Sequence, residues 1–60
     1  MNFKTLLDLI PESARVTIVF DGHTLSGDAW AFEDLKDAVL EMKVVNTEAR
    51  NNEIWIWLEF

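Results

Sequence analysis

The last eight residues, Glu53 to Phe60, alternate strictly between two kinds of side chain, and they constrain the fold more than any other stretch. One set is apolar throughout: Ile54, Ile56, Leu58 and Phe60. The other set carries two indoles between two acids: Glu53, Trp55, Trp57 and Glu59. A repeat of two is typical of a β-strand, and the β-branched and aromatic content predicts a central strand. Because both faces are apolar and a small domain covers only one well, the tryptophan side is a candidate contact surface.

Length and cysteine content limit how such a strand can be stabilised. Sixty residues predict one domain, residues 1–60, and a chain of this size buries only about 60% of the surface that its unfolded form exposes. The sequence has no cysteine, which excludes disulfides and thiolate metal sites, so we expect stability to come from packing or oligomerisation. The apolar runs are too short for a membrane span and the start lacks a signal peptide's pattern, so we expect a cytoplasmic protein.

The net charge of −6 bears on the class of partner. It disfavours direct binding to nucleic acid, because that binding needs cations that displace counterions. It is compatible with binding to a basic protein surface, such as the DNA groove of an enzyme. The alternative interpretation is that the charge serves solubility alone.

The N-terminal third predicts a helix followed by a hairpin. Asn2 can cap a helix whose apolar face repeats at helical spacing and which ends before Pro11; this face comprises Phe3, Leu6, Leu7 and Ile10. A strand is predicted from Arg15 to Phe20 and a second from about His23 to Trp30. Asp21-Gly22 between them is typical of a type I′ turn, which sets Phe20 opposite His23 and Arg15 opposite Asp28.

The second half predicts another helix and another hairpin. The helix runs from Phe32 to about Leu40, although Asp28 could instead cap a longer helix that begins at Ala29. Its apolar face would comprise Phe32, Leu35, Val39 and Met42. A third strand, Lys43 to Arg50, then turns at Asn51-Asn52. A two-residue loop sets three pairs opposite each other: Ala49 with Ile54, Thr47 with Ile56 and Val45 with Leu58. The predicted fold is α-β-β-α-β-β, a four-stranded, largely antiparallel sheet with both helices on one face.

Catalytic and metal-binding patterns are scarce in this sequence. His23 is the one histidine and lies beside a turn, and two ligands with Asp21 do not make a metal site. Ser13 and Ser26 lie outside any nucleophile-elbow pattern, and the two glycines form no phosphate loop. We therefore expect a protein that is not an enzyme and that needs no cofactor or metal.

Two surfaces are predicted to bind partners. The first is a dimer or partner face around the indoles: Trp30, Trp55, Trp57 and Val19. It would serve self-association or a foreign partner, unless Glu48 and Arg50 lie over the rings and no partner binds. The second is an acidic row on the second helix: Glu33, Asp34, Asp37 and Glu41. From Asp28 to Glu41 there are five acids and one base, a net −4, which is either a solvated face or a DNA-like row of charges.

Nearly the whole chain resembles the small early proteins of phages and prophages of Gram-positive bacteria. The resemblance rests on the leucine-rich helix before Pro11, the strand Val16 to Val19, the Asp21-Gly22 turn, and the positions of Gly27, Leu35, Ile54, Ile56 and Leu58. Within that group, Val16 to Leu58 is similar to the dimeric phage inhibitors of uracil-DNA glycosylase. Those proteins are acidic, run β-α-β-β and block the enzyme's DNA groove with a hydrophobic pocket and acidic residues. The N-terminal helix and one extra strand depart from that pattern, and small anti-CRISPR and other counter-defence proteins fit as well.

These observations lead to one hypothesis and one alternative. The hypothesis is a non-enzymatic phage or mobile-element protein, active in the host cell cytosol. It would form a homodimer through the Trp55/Trp57 face and inhibit a host or defence protein with its acidic helix. The alternative is a small homodimeric structural or regulatory accessory domain with no inhibitory role.

Overall fold

Four strands form one mixed sheet in the computed structural model, which describes all residues 1–60. They are β1 (Arg15–Phe20), β2 (His23–Asp28), β3 (Lys43–Arg50) and β4 (Glu53–Glu59). The order across the sheet is β2-β1-β4-β3. The two hairpins are antiparallel, whereas β1 and β4 run parallel at the centre. The predicted α+β class and four strands are confirmed, and β4 has a neighbouring strand on each side.

The N-terminal helix, α1 (Phe3–Leu7), is shorter than predicted. Its cap is the predicted one, because the Asn2 side chain accepts a hydrogen bond from the Thr5 N–H at 2.9 Å. The predicted end at Ile10 is wrong. The N–H groups of Leu9 and Ile10 donate to the carbonyls three residues earlier, so the last turn tightens into 3₁₀ geometry before Pro11.

The predicted second helix, Phe32 to Leu40, is interrupted. A 3₁₀ helix (Ala29–Asp34) comes first, Leu35 and Lys36 are extended with ψ of 158° and 144°, and α2 (Asp37–Leu40) follows. The helical part begins at Ala29, as the alternative start predicted, although the Asp28 side chain forms no cap hydrogen bond, and β2 ends at Asp28 instead of Trp30. The break removes the i, i+4 spacing of Glu33 and Asp37, a like-charge pair that would cost a continuous helix about 0.2–0.5 kcal/mol.

The first hairpin has the predicted register, from Arg15 opposite Asp28 to Phe20 opposite His23. Asp21 and Gly22 have φ of 45° and 76°, as a type I′ turn requires.

The second hairpin agrees with its prediction near the turn and departs from it further away. Asn51 and Asn52 take positive φ, and Ala49 and Thr47 lie opposite Ile54 and Ile56. The predicted pair of Val45 with Leu58 is wrong, because a register shift between Val44 and Asn46 sets Val44 opposite Leu58. This bulge turns Val44 toward the core and leaves Val45 47% exposed.

One apolar cluster joins the sheet to the helical segments. Its buried members are Phe3, Leu7, Val16, Ile18, Ala29, Phe32, Leu40, Met42, Ile56 and Leu58. Phe3 and Phe32 meet edge to face, with ring centres 5.9 Å apart. Leu35 and Val39 pack against this cluster despite the break between them, so the predicted apolar face keeps its members without a continuous helix. None of the helices has the length and apolar character that crossing a membrane requires.

The first three residues also extend the sheet at one edge. Asn2 pairs antiparallel with Lys43 at the start of β3. The Phe3 N–H donates to the Met42 carbonyl at 2.9 Å, and the Val44 N–H donates to the Met1 carbonyl at 3.0 Å. The N-terminus therefore covers the beginning of the β3 edge and stops there.

Candidate interaction surfaces

The side of the sheet that carries Trp55 and Trp57 is called the tryptophan face below. Trp55 and Trp57 lie on β4 with their ring centres 6.0 Å apart and their planes inclined by 33°. Val19 lies beside Trp57 on β1, and Thr17 lies beside Trp55. Three predicted members, Val19, Trp55 and Trp57, thus come together, and all three are half-buried.

Arg50 reaches from β3 over both indoles. Its guanidinium carbon lies 4.8 Å from the Trp55 ring centre and 5.4 Å from that of Trp57, within cation–π range. The same guanidinium donates a hydrogen bond to the Glu48 carboxylate at 2.8 Å. That hydrogen bond holds the pKa of Glu48 below its usual value. Arg50 therefore covers the rings in part, as one element of the alternative interpretation predicted, while Glu48 contacts Arg50.

Trp30, the third predicted tryptophan of this face, does not lie on a strand of the sheet. It lies in the 3₁₀ helix and is 56% exposed, and its backbone N–H donates to the Glu12 carbonyl at 3.2 Å. β2 ends at Asp28, two residues earlier, so the prediction that this strand reaches Trp30 is wrong.

A buried hydroxyl beneath the tryptophan face was missed by the sequence analysis. Thr17 is 1% exposed, and its hydroxyl donates to the Glu53 carboxylate at 2.9 Å. The Thr17 and Ser26 hydroxyls are 2.8 Å apart, and since the Thr17 proton is used at Glu53, Ser26 is the donor. The predicted hairpin register already set Thr17 opposite Ser26. The contact with Glu53 depends on the parallel β1–β4 pairing, which no local pattern indicated.

The acidic segment is defined as Glu33, Asp34, Asp37 and Glu41. All four side chains are exposed. Because the helix is interrupted, they do not form one helical row: two end the 3₁₀ helix, one begins α2, and Glu41 follows its last residue. The two ion pairs of the protein, Arg15–Asp28 and Arg50–Glu48, both lie outside this segment. The four carboxylates therefore have no cationic partner within the chain.

A shallow cavity of about 150 Å³ lies at one end of the acidic segment. Its lining combines two leucines with three charged residues: Lys4, Leu7, Asp8, Glu33 and Leu40. No group of three or more histidine, aspartate or glutamate residues is close enough to hold a metal ion.

Comparison with protein-family models, with curated proteins and with solved structures gave no match.

Proposed function

We propose that this is a non-enzymatic protein of a phage or mobile element that binds and inhibits a host or defence protein. The target class is a nucleic-acid enzyme, and the acidic segment acts on its basic surface as a DNA mimic. The observation that carries the proposal is that Glu33, Asp34, Asp37 and Glu41 are exposed and have no ion-pair partner in the chain.

Charge complementarity is the physical basis of this proposal. A nucleic-acid groove concentrates lysine and arginine to neutralise phosphates, and it attracts any surface that presents negative charges at comparable density. The stretch from Asp28 to Glu41 has a net charge of −4, counted as five acids and one base. Unpaired surface charges accelerate association with an oppositely charged partner and make the binding sensitive to salt.

The proposal includes a homodimer, with the tryptophan face available to a second copy or to the target. We infer that the helical segments share the opposite, core side of the sheet, because Phe3, Phe32 and Leu40 join the same buried cluster as Ile18 and Ile56. The tryptophan face is then free of any helical cover, and Arg50 is the side chain that a partner would meet over the rings.

Charge reversal tests the inhibitory function. The variant E33K/E41K and the control E12K/E59K each change the net charge by +4, from −6 to −2, and all four positions are exposed. Purified nucleic-acid enzymes are assayed with each protein, beginning with uracil-DNA glycosylase because of the resemblance described above. Inhibition of an enzyme that survives in E12K/E59K and is lost in E33K/E41K supports the proposal. Equal inhibition by both variants, or none across the panel, contradicts it.

The second candidate is a homodimeric accessory domain with no inhibitory role. The observation that favours it is the aromatic surface of Trp55 and Trp57, which Arg50 covers only in part and which offers apolar contact to a partner. A partner held through apolar contact stays bound at high salt, whereas a partner held by the acidic segment is released. Elution of the bound partner across a salt gradient separates the two functions.

A further inference from the structure

The outer edge of β3 is open over part of its length. β3 is an edge strand, and such strands present unpaired N–H and C=O groups that accept another strand. The N-terminal residues Met1 and Asn2 cover the edge only at Lys43 and Val44. From Asn46 to Arg50 every side chain is exposed. A stretch of about five residues is therefore available for pairing.

Hairpin geometry determines which backbone groups of this stretch point outward. In a two-residue hairpin the residues that flank the turn, here Arg50 and Glu53, exchange both backbone hydrogen bonds. Hydrogen-bonded and non-hydrogen-bonded pairs alternate along an antiparallel ladder. Arg50 and Glu48 therefore direct their backbone groups toward β4, whereas Ala49 and Thr47 direct theirs outward. A strand added at this edge would bond to whichever of Ala49 and Thr47 lies opposite its own extended residues.

We propose that the partner at this edge is a second copy of the chain, added antiparallel with Ala49 opposite the Ala49 of that copy. This register sets Arg50 of each copy opposite Glu48 of the other. Arg50 and Glu48 lie on the same side of the sheet and already contact each other at 2.8 Å within one chain. Two copies would thus form a group of four charges that alternate in sign. The inference rests on the homodimer of the proposed function and places its contact at the β3 edge, which leaves the tryptophan face to the target.

The alternative register, centred on Thr47, is obstructed by the N-terminus. It would set Arg50 opposite Val44 of the second copy, and the N–H of Val44 already donates to the Met1 carbonyl. The turn of each copy would then run into residues 1–2 of the other. In this register Glu48 would also lie opposite Asn46, so the pairs of Arg50 with Glu48 between the two copies would be lost. Steric and electrostatic considerations both favour the register centred on Ala49.

Charge also distinguishes the two edges of the sheet. Two copies of a protein with a net charge of −6 repel each other, so they associate best where the acid content is lowest. β3 contains two bases and one acid: Lys43, Arg50 and Glu48. β2, the opposite edge, contains Asp28 and no lysine or arginine. In the proposed dimer the tryptophan faces of both copies lie side by side on one continuous sheet, uncovered by the dimer contact itself.

Single cysteines test this register in a chain that has none of its own. Ala49 and Thr47 are matched, since both are small, exposed and on the same side of β3. In the proposed dimer the two copies of position 49 have Cα atoms about 5.5 Å apart, within the range for a disulfide. The two copies of position 47 are separated by four residues along the strand, about 13 Å at 3.3 Å per residue, too far to be bridged.

The measurement is the rate of covalent dimer formation by A49C and T47C under oxidised glutathione, with light scattering of the wild type alongside. We expect A49C to cross-link at least about tenfold faster than T47C, because only position 49 meets the distance requirement. Faster linkage of T47C, or equal rates with a dimeric wild type, overturns the edge contact and leaves the homodimer standing. A monomeric wild type with equal rates overturns both. The inhibition assay on the acidic segment is independent of all these outcomes.

Discussion

The guanidinium carbon of Arg50 lies 4.8 Å from the centre of the Trp55 ring. This contact joins an edge strand to a central one, since Arg50 is on β3 and Trp55 on β4. It reduces the exposed apolar area of the tryptophan face while it keeps a charge at the surface. The indoles and Arg50 therefore act as one surface, and the state of that surface can be read from tryptophan fluorescence.

Replacement of Arg50 by alanine should expose both indoles to water. In a W30F background, which removes the third tryptophan, R50A is expected to shift the emission maximum to longer wavelength and to increase quenching by acrylamide. R15A is the matched control, because Arg15 is also a half-exposed arginine in an ion pair on the sheet. Identical spectra for R50A and its parent would show that Arg50 does not cover the rings in solution.

The ion pair of Glu48 with Arg50 predicts a pH dependence of stability. The hydrogen bond from Arg50 lowers the pKa of Glu48 in the folded state from its usual 4.5. A carboxyl whose pKa is lower in the folded protein than in the unfolded chain stabilises the fold at pH values above the pKa of the unfolded chain. This contribution is lost as the pH falls through the pKa of the folded protein. The free energy of unfolding of the wild type should therefore exceed that of E48Q at pH 7, and the difference should shrink below about pH 4.5.

Urea titrations of the wild type and E48Q at a series of pH values measure this difference, and E59Q is the control for an unpaired glutamate on the neighbouring strand. Carboxyl chemical shifts of Glu48 give its pKa directly. A titration at or above the usual value, or a difference that grows in acid, is inconsistent with the ion pair.

The hydrogen bonds of Thr17 should contribute to stability. T17V keeps the shape of the side chain and removes a hydroxyl that donates to Glu53 and accepts from Ser26. The expected loss is about 1 kcal/mol, typical of a hydrogen bond whose partners can still reach water. T24V, an exposed threonine on the neighbouring strand, should change stability little. Equal urea midpoints for T17V and the wild type would show that the network has no net effect.

The N-terminal segment should be essential to the fold. Phe3 is fully buried and meets Phe32 edge to face, so F3A removes a large side chain from the centre of the core. The cost of such a change is about 3–5 kcal/mol, comparable to the total stability of a domain of this size. Far-UV circular dichroism of F3A should show an unfolded or nearly unfolded chain, whereas L9A, whose side chain is 70% exposed, should keep the fold. A folded F3A with a cooperative transition close to that of the wild type would contradict this role.

Locally determined features agree with the sequence analysis. The turns at Asp21-Gly22 and Asn51-Asn52 follow from the tolerance of these residues for positive φ, and each turn sets the register of its hairpin near the loop. The Asn2 cap depends likewise on a bond within three residues.

The features that sequence analysis missed depend on contacts distant in the chain. The parallel pairing of β1 with β4 joins residues 38 positions apart, as Thr17 and Trp55 illustrate, and no local pattern specifies it. The bulge at Val45 lies where β3 meets the core and the N-terminal residues, and these contacts are distant in the sequence. In the same way, the helical spacing of Phe32, Leu35 and Val39 indicated which residues face the core and gave no sign of the break at Leu35.

The measurement that tests the central claim most directly is competition with DNA for the target enzyme. Labelled duplex DNA is bound to an enzyme that the protein inhibits, and its fluorescence anisotropy is followed as the protein is added. A DNA mimic occupies the groove, so the wild type and E12K/E59K are expected to release the DNA, whereas E33K/E41K leaves it bound. DNA that stays bound while the wild-type protein is also bound to the enzyme would contradict the account, because the acidic segment would then lie outside the groove.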